Sequence, residues 1–334
     1  MSPGVASFRR TLRAVDDPAP QRANAAPGRR THGSDRAPSL RNLLVPIYLD
    51  ESSSATIDYA AHLARSHGAR IHLVHVVPTN EIHLLRSVYR PGENGGANEA
   101  YADLIARRAL KSIAHERLFD LTTRVITQHD GDPVRGVLTA AERCRADMII
   151  LPTQSRTGLF RLIARGVTER IVRESRCPVL VTQQKVKTPF ERILCPIDLH
   201  GQHPQAIEQA RRLAEGGGGT VHLLHVIPSS KVLLSRAVYR QEPGDEGNFV
   251  RAATAAREAL LALANDRLCG VSYVIDVRMS SHPTKTILEV ERDHHADVVV
   301  MVTRGLAGLV RRIFGGVTER VIRGAACPVL TVRA

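Results

Sequence analysis

Ile71-His-Leu-Val-His-Val-Val-Pro78 recurs as Val221-His-Leu-Leu-His-Val-Ile-Pro228, and this offset of 150 positions organises the chain. Each stretch is an apolar run closed by proline. It is too short for a helix and too continuously apolar for a strand with one wet face, so it reads as a strand buried on both sides. The same offset joins Arg41-Asn-Leu-Leu-Val-Pro-Ile47 to Glu191-Arg-Ile-Leu-Cys-Pro-Ile197, and Val88-Tyr-Arg90 to Val238-Tyr-Arg240. It also joins Ala146-Asp-Met-Ile-Ile150 to Ala296-Asp-Val-Val-Val300, Gly166-Val-Thr-Glu-Arg170 to Gly316-Val-Thr-Glu-Arg320, and Cys177-Pro-Val-Leu180 to Cys327-Pro-Val-Leu330. Roughly a third of the positions in 41–184 and 191–334 are identical without a gap, the mark of a duplicated unit.

Within one copy, strand and helix patterns alternate. Leu43–Ile47, Ile71–Val77, Leu121–Thr127, Met148–Leu151 and Val179–Thr182 read as strands. Ala55–Ser66, Ala100–Arg117, Val134–Cys144 and Val167–Glu174 carry apolar residues at three- and four-residue spacing and read as helices. The order βαβαβαβαβ implies right-handed crossovers and an open parallel sheet with helices on both faces. Ligands in such sheets sit beyond the carboxyl ends of the strands, where the strand order reverses.

The 334 residues, 43% hydrophobic and 24% charged, suit two globular units and exclude a wholly disordered chain. The expected organisation is a disordered basic extension over 1–40, a first domain over 41–182, a polar linker over 183–190 (Gln183-Gln-Lys-Val-Lys-Thr-Pro-Phe190) and a second domain over 191–334. The extension has seven arginines, five prolines and few large apolar residues; it lacks the apolar segment of a secretory signal and reads as solvated. The net charge of +13 permits salt-sensitive, nonspecific contact with polyanions, but only 4% of residues are aromatic and no specific nucleic-acid motif is present. Five cysteines without close pairing form neither a disulfide framework nor a metal clamp, which points to reduced, buried thiols and a cytoplasmic location. No apolar run approaches the roughly 18–20 residues of a membrane span.

With its C-terminal series of strand, glycine-bearing loop, amphipathic helix and Cys-Pro-Val-Leu, the chain resembles the universal stress protein family, and its tandem two-domain members in particular. The resemblance implies two Rossmann-like domains of the adenine nucleotide alpha hydrolase-like kind. It also implies a cytosolic stress-response protein that often associates through its final strand. A subset of the family binds ATP through Gly-x-x-Gly, nine residues, then Gly-Ser or Gly-Thr after strand four, with an Asp after strand one. Glycines there admit the phosphates to backbone N–H groups, the hydroxyl adds a donor and the helix N-terminus adds positive potential.

Against that pattern the first half is degenerate: Tyr48 stands for the Asp, Pro152 and Ser155 for the two glycines, and Arg165-Gly166 for Gly-Ser, with Val76 on strand two. Proline removes a donor and arginine adds bulk. The competing reading makes Arg156 and Arg165 a new anion site. The second half keeps more: Asp198, Val226, Met301, Gly305, Gly315, Gly316 and Val317 fall at nucleotide-site positions, whereas Val302 replaces the first glycine and is expected to crowd the ribose or phosphate path. Arg304, Arg311 and Arg312 would add anion affinity, while Asp198 has an alternative role as cap of the helix starting near His203. The implied ligand is ATP or another adenine nucleotide, with Mg²⁺ only alongside it.

His72, His75, His222 and His225 do not make a metal site within a copy, because residues i and i+3 on a strand face opposite ways. They read as core imidazoles, and His294-His295 as an exposed helix end. Cys177 and Cys327 lack a flanking base and read as buried thiols rather than nucleophiles. Thr168-Glu169-Arg170 and Thr318-Glu319-Arg320 read as helix surface, with Glu and Arg pairing between copies. No P-loop lysine is present, so no catalytic residue is assigned and an enzyme is not expected. Two functions remain: an internal pseudo-dimer sensing adenine nucleotide through its second half, or an ATP-independent scaffold or chaperone-like module.

Overall fold

The computed structural model describes residues 40–49, 53–78, 95–152, 161–183, 186, 188–201, 204–228, 245–303 and 316–333. The first half runs β1 (Asn42–Pro46), α1 (Ser54–His67), β2 (Arg70–Pro78), α2 (Gly95–Arg117), β3 (Thr123–Asp130), α3 (Pro133–Cys144), β4 (Met148–Pro152), α4 (Arg161–Glu174) and β5 (Val179–Thr182). The second repeats it: β6 (Arg192–Pro196), α5 (Pro204–Gly217), β7 (Thr220–Pro228), α6 (Asp245–Arg267), β8 (Ser272–Ser280), α7 (Pro283–Asp293), β9 (Val298–Thr303), α8 (Val317–Gly324) and β10 (Val329–Arg333). The tail over 1–39 lies outside the described residues.

Local chemistry explains the boundaries. Asp132 caps α3 by accepting from Val134 N at 3.0 Å, with Pro133 in the first turn, where its missing N–H costs nothing. Helix α1 ends at Gly68 with φ 65°, and Gly218 repeats this at φ 68° after α5; a side chain is disfavoured in that left-handed conformation.

The strands form one ten-stranded sheet in the order β3-β2-β1-β4-β5-β10-β9-β6-β7-β8. Within each half every pairing is parallel; the halves meet where β10 runs antiparallel to β5, with Leu330 opposite Leu180. Both final strands are therefore flanked on two sides inside the chain. The expectation of self-association through the final strand is corrected by this pairing, which leaves neither strand a free edge for a second chain. Among the described residues the sheet ends at β3 on one side and β8 on the other.

Both faces of the central strands are buried, as continuous apolar runs require. One face carries a single apolar cluster that crosses the junction, with Tyr59 of α1, Leu110 of α2, Ile207 of α5 and Leu260 of α6. On the other face, α3 and α4 cover the first half and α7 and α8 the second. The linker departs from its polar reading at Phe190, which is 2% exposed and stacks on Tyr59 with centroids 6.0 Å apart. Burial of one large ring outweighs the polar character of its neighbours in sequence.

Candidate functional site

In each half the chain leaves the central strand in one direction to β2 (or β7) and in the other to β4 (or β9), so crevices open beyond the carboxyl ends of β1 and β4 and of β6 and β9. Those are the places to which the sequence motifs map.

In the second half, Ile197 N donates to Leu224 O at 2.7 Å and continues β6, after which Asp198 enters a tight turn. Gly201 N donates to Asp198 O at 2.8 Å, and His200 N donates to Asp198 Oδ1 at 3.1 Å. The carboxylate is exposed at the rim. Its backbone partner lies in this turn, ahead of α5, which begins at Pro204; His203 is outside the described residues. His225 fixes the floor by donating Nδ1–H to Ile197 O at 2.8 Å, and burial lowers its affinity for a second proton.

At the end of β9, Met301 is buried against the cluster under α7 and α8, while Val302 is half-buried and packs against the large core on the opposite face. Part of the isopropyl group thus belongs to the core. Thr318 Oγ1 donates to Val302 O at 3.3 Å, tying the first turn of α8 to the strand end. Gly316 precedes α8 in an extended conformation, and a Cβ placed on it would meet nothing within 4 Å. Val317 and Val226 are partly buried beside the same cluster. Gly305, Gly315, Arg304, Arg311 and Arg312 lie outside the described residues.

The first-half crevice is built differently. Tyr48 N donates to Ser53 Oγ at 3.1 Å and Ser53 Oγ donates to Tyr48 O at 2.8 Å, so a buried hydroxyl closes the turn where the other half exposes a carboxylate. Pro152 is buried at the end of β4 and supplies no N–H. Beside it Thr182 Oγ1 bonds Leu151 O at 3.1 Å and Thr56 Oγ1 at 2.8 Å. Val76 packs partly buried against the cluster under α3 and α4. Gly166 is exposed within α4, and the backbone of Arg165 lies in that helix; Ser155 and Arg156 are outside the described residues.

The histidines separate into two kinds. His75 copies His225, donating Nδ1–H to Ile47 O at 2.9 Å, with burial again lowering its basicity. His72 bonds Asn42 Oδ1 through Nε2 at 3.1 Å. His222, its counterpart, has a buried Nε2 without a hydrogen-bond partner and lies against Asp276 and His294. Sequence reading passed over Asp276; the available signal was a carboxylate at the position where the first copy has Ile126. Thr318 was also passed over as a strand-end tie.

Cys327 is buried, whereas Cys177 is half-buried and Cys269 exposed, so the expectation of uniformly buried thiols holds only in part. Cys269 follows α6 in the short turn before β8, where no helix covers it. Burial raises the Cys177 thiol, whose neighbour Ser175 offers no base. Glu169 pairs across the copies with Arg323 at 2.5 Å, whereas Arg170 turns within its own half to Asp132 at 2.8 Å.

The Universal stress protein family model matches residues 39–183 and again 189–333. The chain is a tandem member of the universal stress protein family. Relatives of this universal stress protein include one from Methanocaldococcus jannaschii, 26% identical over 153 residues, covering 44% of this chain and 84% of the relative. A universal stress protein E homolog from Haemophilus influenzae is 24% identical over 195 residues, covering 56% of this chain and 62% of the relative. Among solved structures, a universal stress protein from Archaeoglobus fulgidus superposes with a TM-score of 0.64 at 20% identity, covering 87% of this chain and 98% of that one. A universal stress protein from Pseudomonas aeruginosa gives 0.57 at 18% identity, covering 88% and 93%. These likenesses establish the two-unit fold. Among the described residues no helix is long and apolar enough to cross a membrane.

Proposed function

We propose that the second half of this universal stress protein senses ATP or a related adenine nucleotide in the cytoplasm, while the first half is its structural partner. The difference between the two strand ends carries this reading. An exposed Asp198 carboxylate stands at one crevice, against a Tyr48 turn closed by Ser53 and a donorless Pro152 at the other. Asp198 suits the nucleoside end, and the N-terminus of α8 suits phosphate. Val302 has part of its side chain engaged with the core. Mg²⁺ would arrive with the nucleotide, held chiefly by its phosphates.

Calorimetric titration of the full chain with ATP and Mg²⁺ tests the proposal. The expected result is one site per chain, with Asp198→Ala weakening it and the pair Val302→Gly, Gly316→Ser strengthening it. A ligand at 100 times its dissociation constant adds about 2.7 kcal/mol to stability, so the complete absence of heat and of thermal shift at millimolar ATP overturns it.

A second reading, an ATP-independent scaffold, draws on the exposed apolar side chains Tyr101 and Leu104 of α2 and Phe119 beyond it, the last 79% exposed. Suppression of client aggregation by the nucleotide-free protein, lost in Leu104→Ser with Phe119→Ser, favours that reading; unchanged suppression counts against it.

A further inference from the structure

We propose that His222, Asp276 and His294 form a binding site for a divalent transition-metal cation, with Zn²⁺ the best chemical match. The site stands apart from the nucleotide crevice. His222 lies near the start of β7, whereas the crevice opens beyond strand ends, and the pairing of Leu224 with Asp276 sets the carboxylate on the neighbouring edge strand β8. His294 caps the C-terminus of α7, where the helix dipole favours a cation. Three separate elements therefore deliver the three side chains.

Their geometry suits a small cation. One ligand atom from each residue lies within 4.8 Å of the others, and His222 Nε2 is 3.5 Å from Asp276 Oδ2. Bonds of about 2.0–2.1 Å in a tetrahedron separate ligands by about 3.3 Å, so that pair is nearly in place, and the exposed His294 needs to close by no more than about 1.5 Å. The imidazoles cross edge to face, with centroids 4.5 Å apart and planes at 85°.

Unsatisfied chemistry supplies the second argument. His222 is 9% exposed and its Nε2 makes no well-formed hydrogen bond, having only the Asp276 carboxylate at 3.5 Å, so a ligated cation would satisfy it better than that long contact does. Asp276 is 6% exposed. Arg278 Nε reaches both of its oxygens, at 2.8 and 2.9 Å, but a carboxylate has about four lone-pair sites, and Oδ2 retains capacity toward His222. The Arg278 side chain is 41% exposed and competes for the carboxylate from the solvent side.

The first copy is an internal control. There Ile126 and Cys144 stand where Asp276 and His294 stand, both pack against an apolar cluster, and His72 bonds Asn42 instead. The second copy carries ligand types at both positions, beside a histidine that both copies share. Two imidazoles and one carboxylate leave a fourth position for water, the donor set of an open zinc site, and supply too few oxygens for Ca²⁺ or Mg²⁺. A cation here clamps the end of α7 to the edge strand.

The test uses the full chain, freed of metal by chelator dialysis, and titrates Zn²⁺ against a competing chelator. The expected result is one Zn²⁺ per chain. His294→Gln and Asp276→Asn should each weaken it by at least about 10- to 100-fold, the loss seen when even the groups behind the ligands are disturbed. Arg278→Gln, which removes a competing charge, should strengthen it. Because His294 is exposed, His294→Gln should keep the circular dichroism of the parent and stays informative if Asp276→Asn fails to fold. Co²⁺ should give tetrahedral absorption without a thiolate-to-metal band. Absence of stoichiometric Zn²⁺, equal affinity in His294→Gln, or a thiolate band reporting Cys269 each overturns the proposal.

Discussion

Arg323 Nη2 donates to Glu169 Oε1 at 2.5 Å, joining residues 154 positions apart across the seam between the two copies. The same guanidinium also pairs with Glu319 in its own helix. At 56% exposure, Arg323 is screened by water, so the bridge orients the two helices more than it binds them. Arg323→Ala should lower the unfolding free energy by no more than about 1 kcal/mol. Urea denaturation of parent and variant measures this, and a several-kcal/mol loss would mean that ion pairs hold the halves together.

The seam is held instead by the sheet and its core. Leu330 and Leu180 face each other in the antiparallel pair β5–β10, both 0% exposed, within the apolar cluster that runs through both halves. Leu330→Ala leaves a cavity that neither half can close by itself, and should cost about 2–5 kcal/mol. Comparing its denaturation midpoint with that of Arg323→Ala ranks the two contributions directly.

How much of this was legible beforehand follows from what each residue reports. Continuous runs such as Ile71–Val77 revealed buried strands because burial on both faces leaves no polar alternation, and the 150-residue offset showed that the two halves share one fold. The antiparallel junction was hidden, because Cys-Pro-Val-Leu reads the same whether its strand meets a second chain or its own twin. Phe190 was hidden by polar neighbours. The surroundings of His222 were hidden for a geometric reason: comparison with His225 on the same strand separated those two, but Asp276 lies on β8 and His294 after α7, and only the fold brings them together.

Thiol reactivity follows burial. Burial pushes the Cys195 thiol up to about 12, and Cys327 is equally enclosed, while Cys269 is exposed. Because the thiolate is the nucleophile, iodoacetamide should modify Cys269 first in the native protein and reach Cys195 and Cys327 only after denaturation. Peptide mass spectrometry after timed labelling reads the order. Native-state labelling of Cys195 as fast as Cys269 would show that β6 is not enclosed.

Acid sensitivity should be concentrated in the first half. Thr127 Oγ1 donates to Asp103, and with Arg107 at 2.5 Å and His129 at 3.2 Å it holds the carboxyl at about 2. Since the folded value lies below the unfolded value of about 3.9, the unfolded chain binds more protons in between and stability rises with pH there. The contribution is fully present above about pH 5 and is lost as pH falls through about 4 toward 2. Asp130, held at about 2 by Arg135, titrates in the same window, so Asp103→Asn should reduce the acid slope of stability without abolishing it. Urea midpoints measured at pH 2 to 6 test this: parent and variant should converge as the pH drops, and curves that stay parallel throughout would show that Asp103 is not ionised in a protected site.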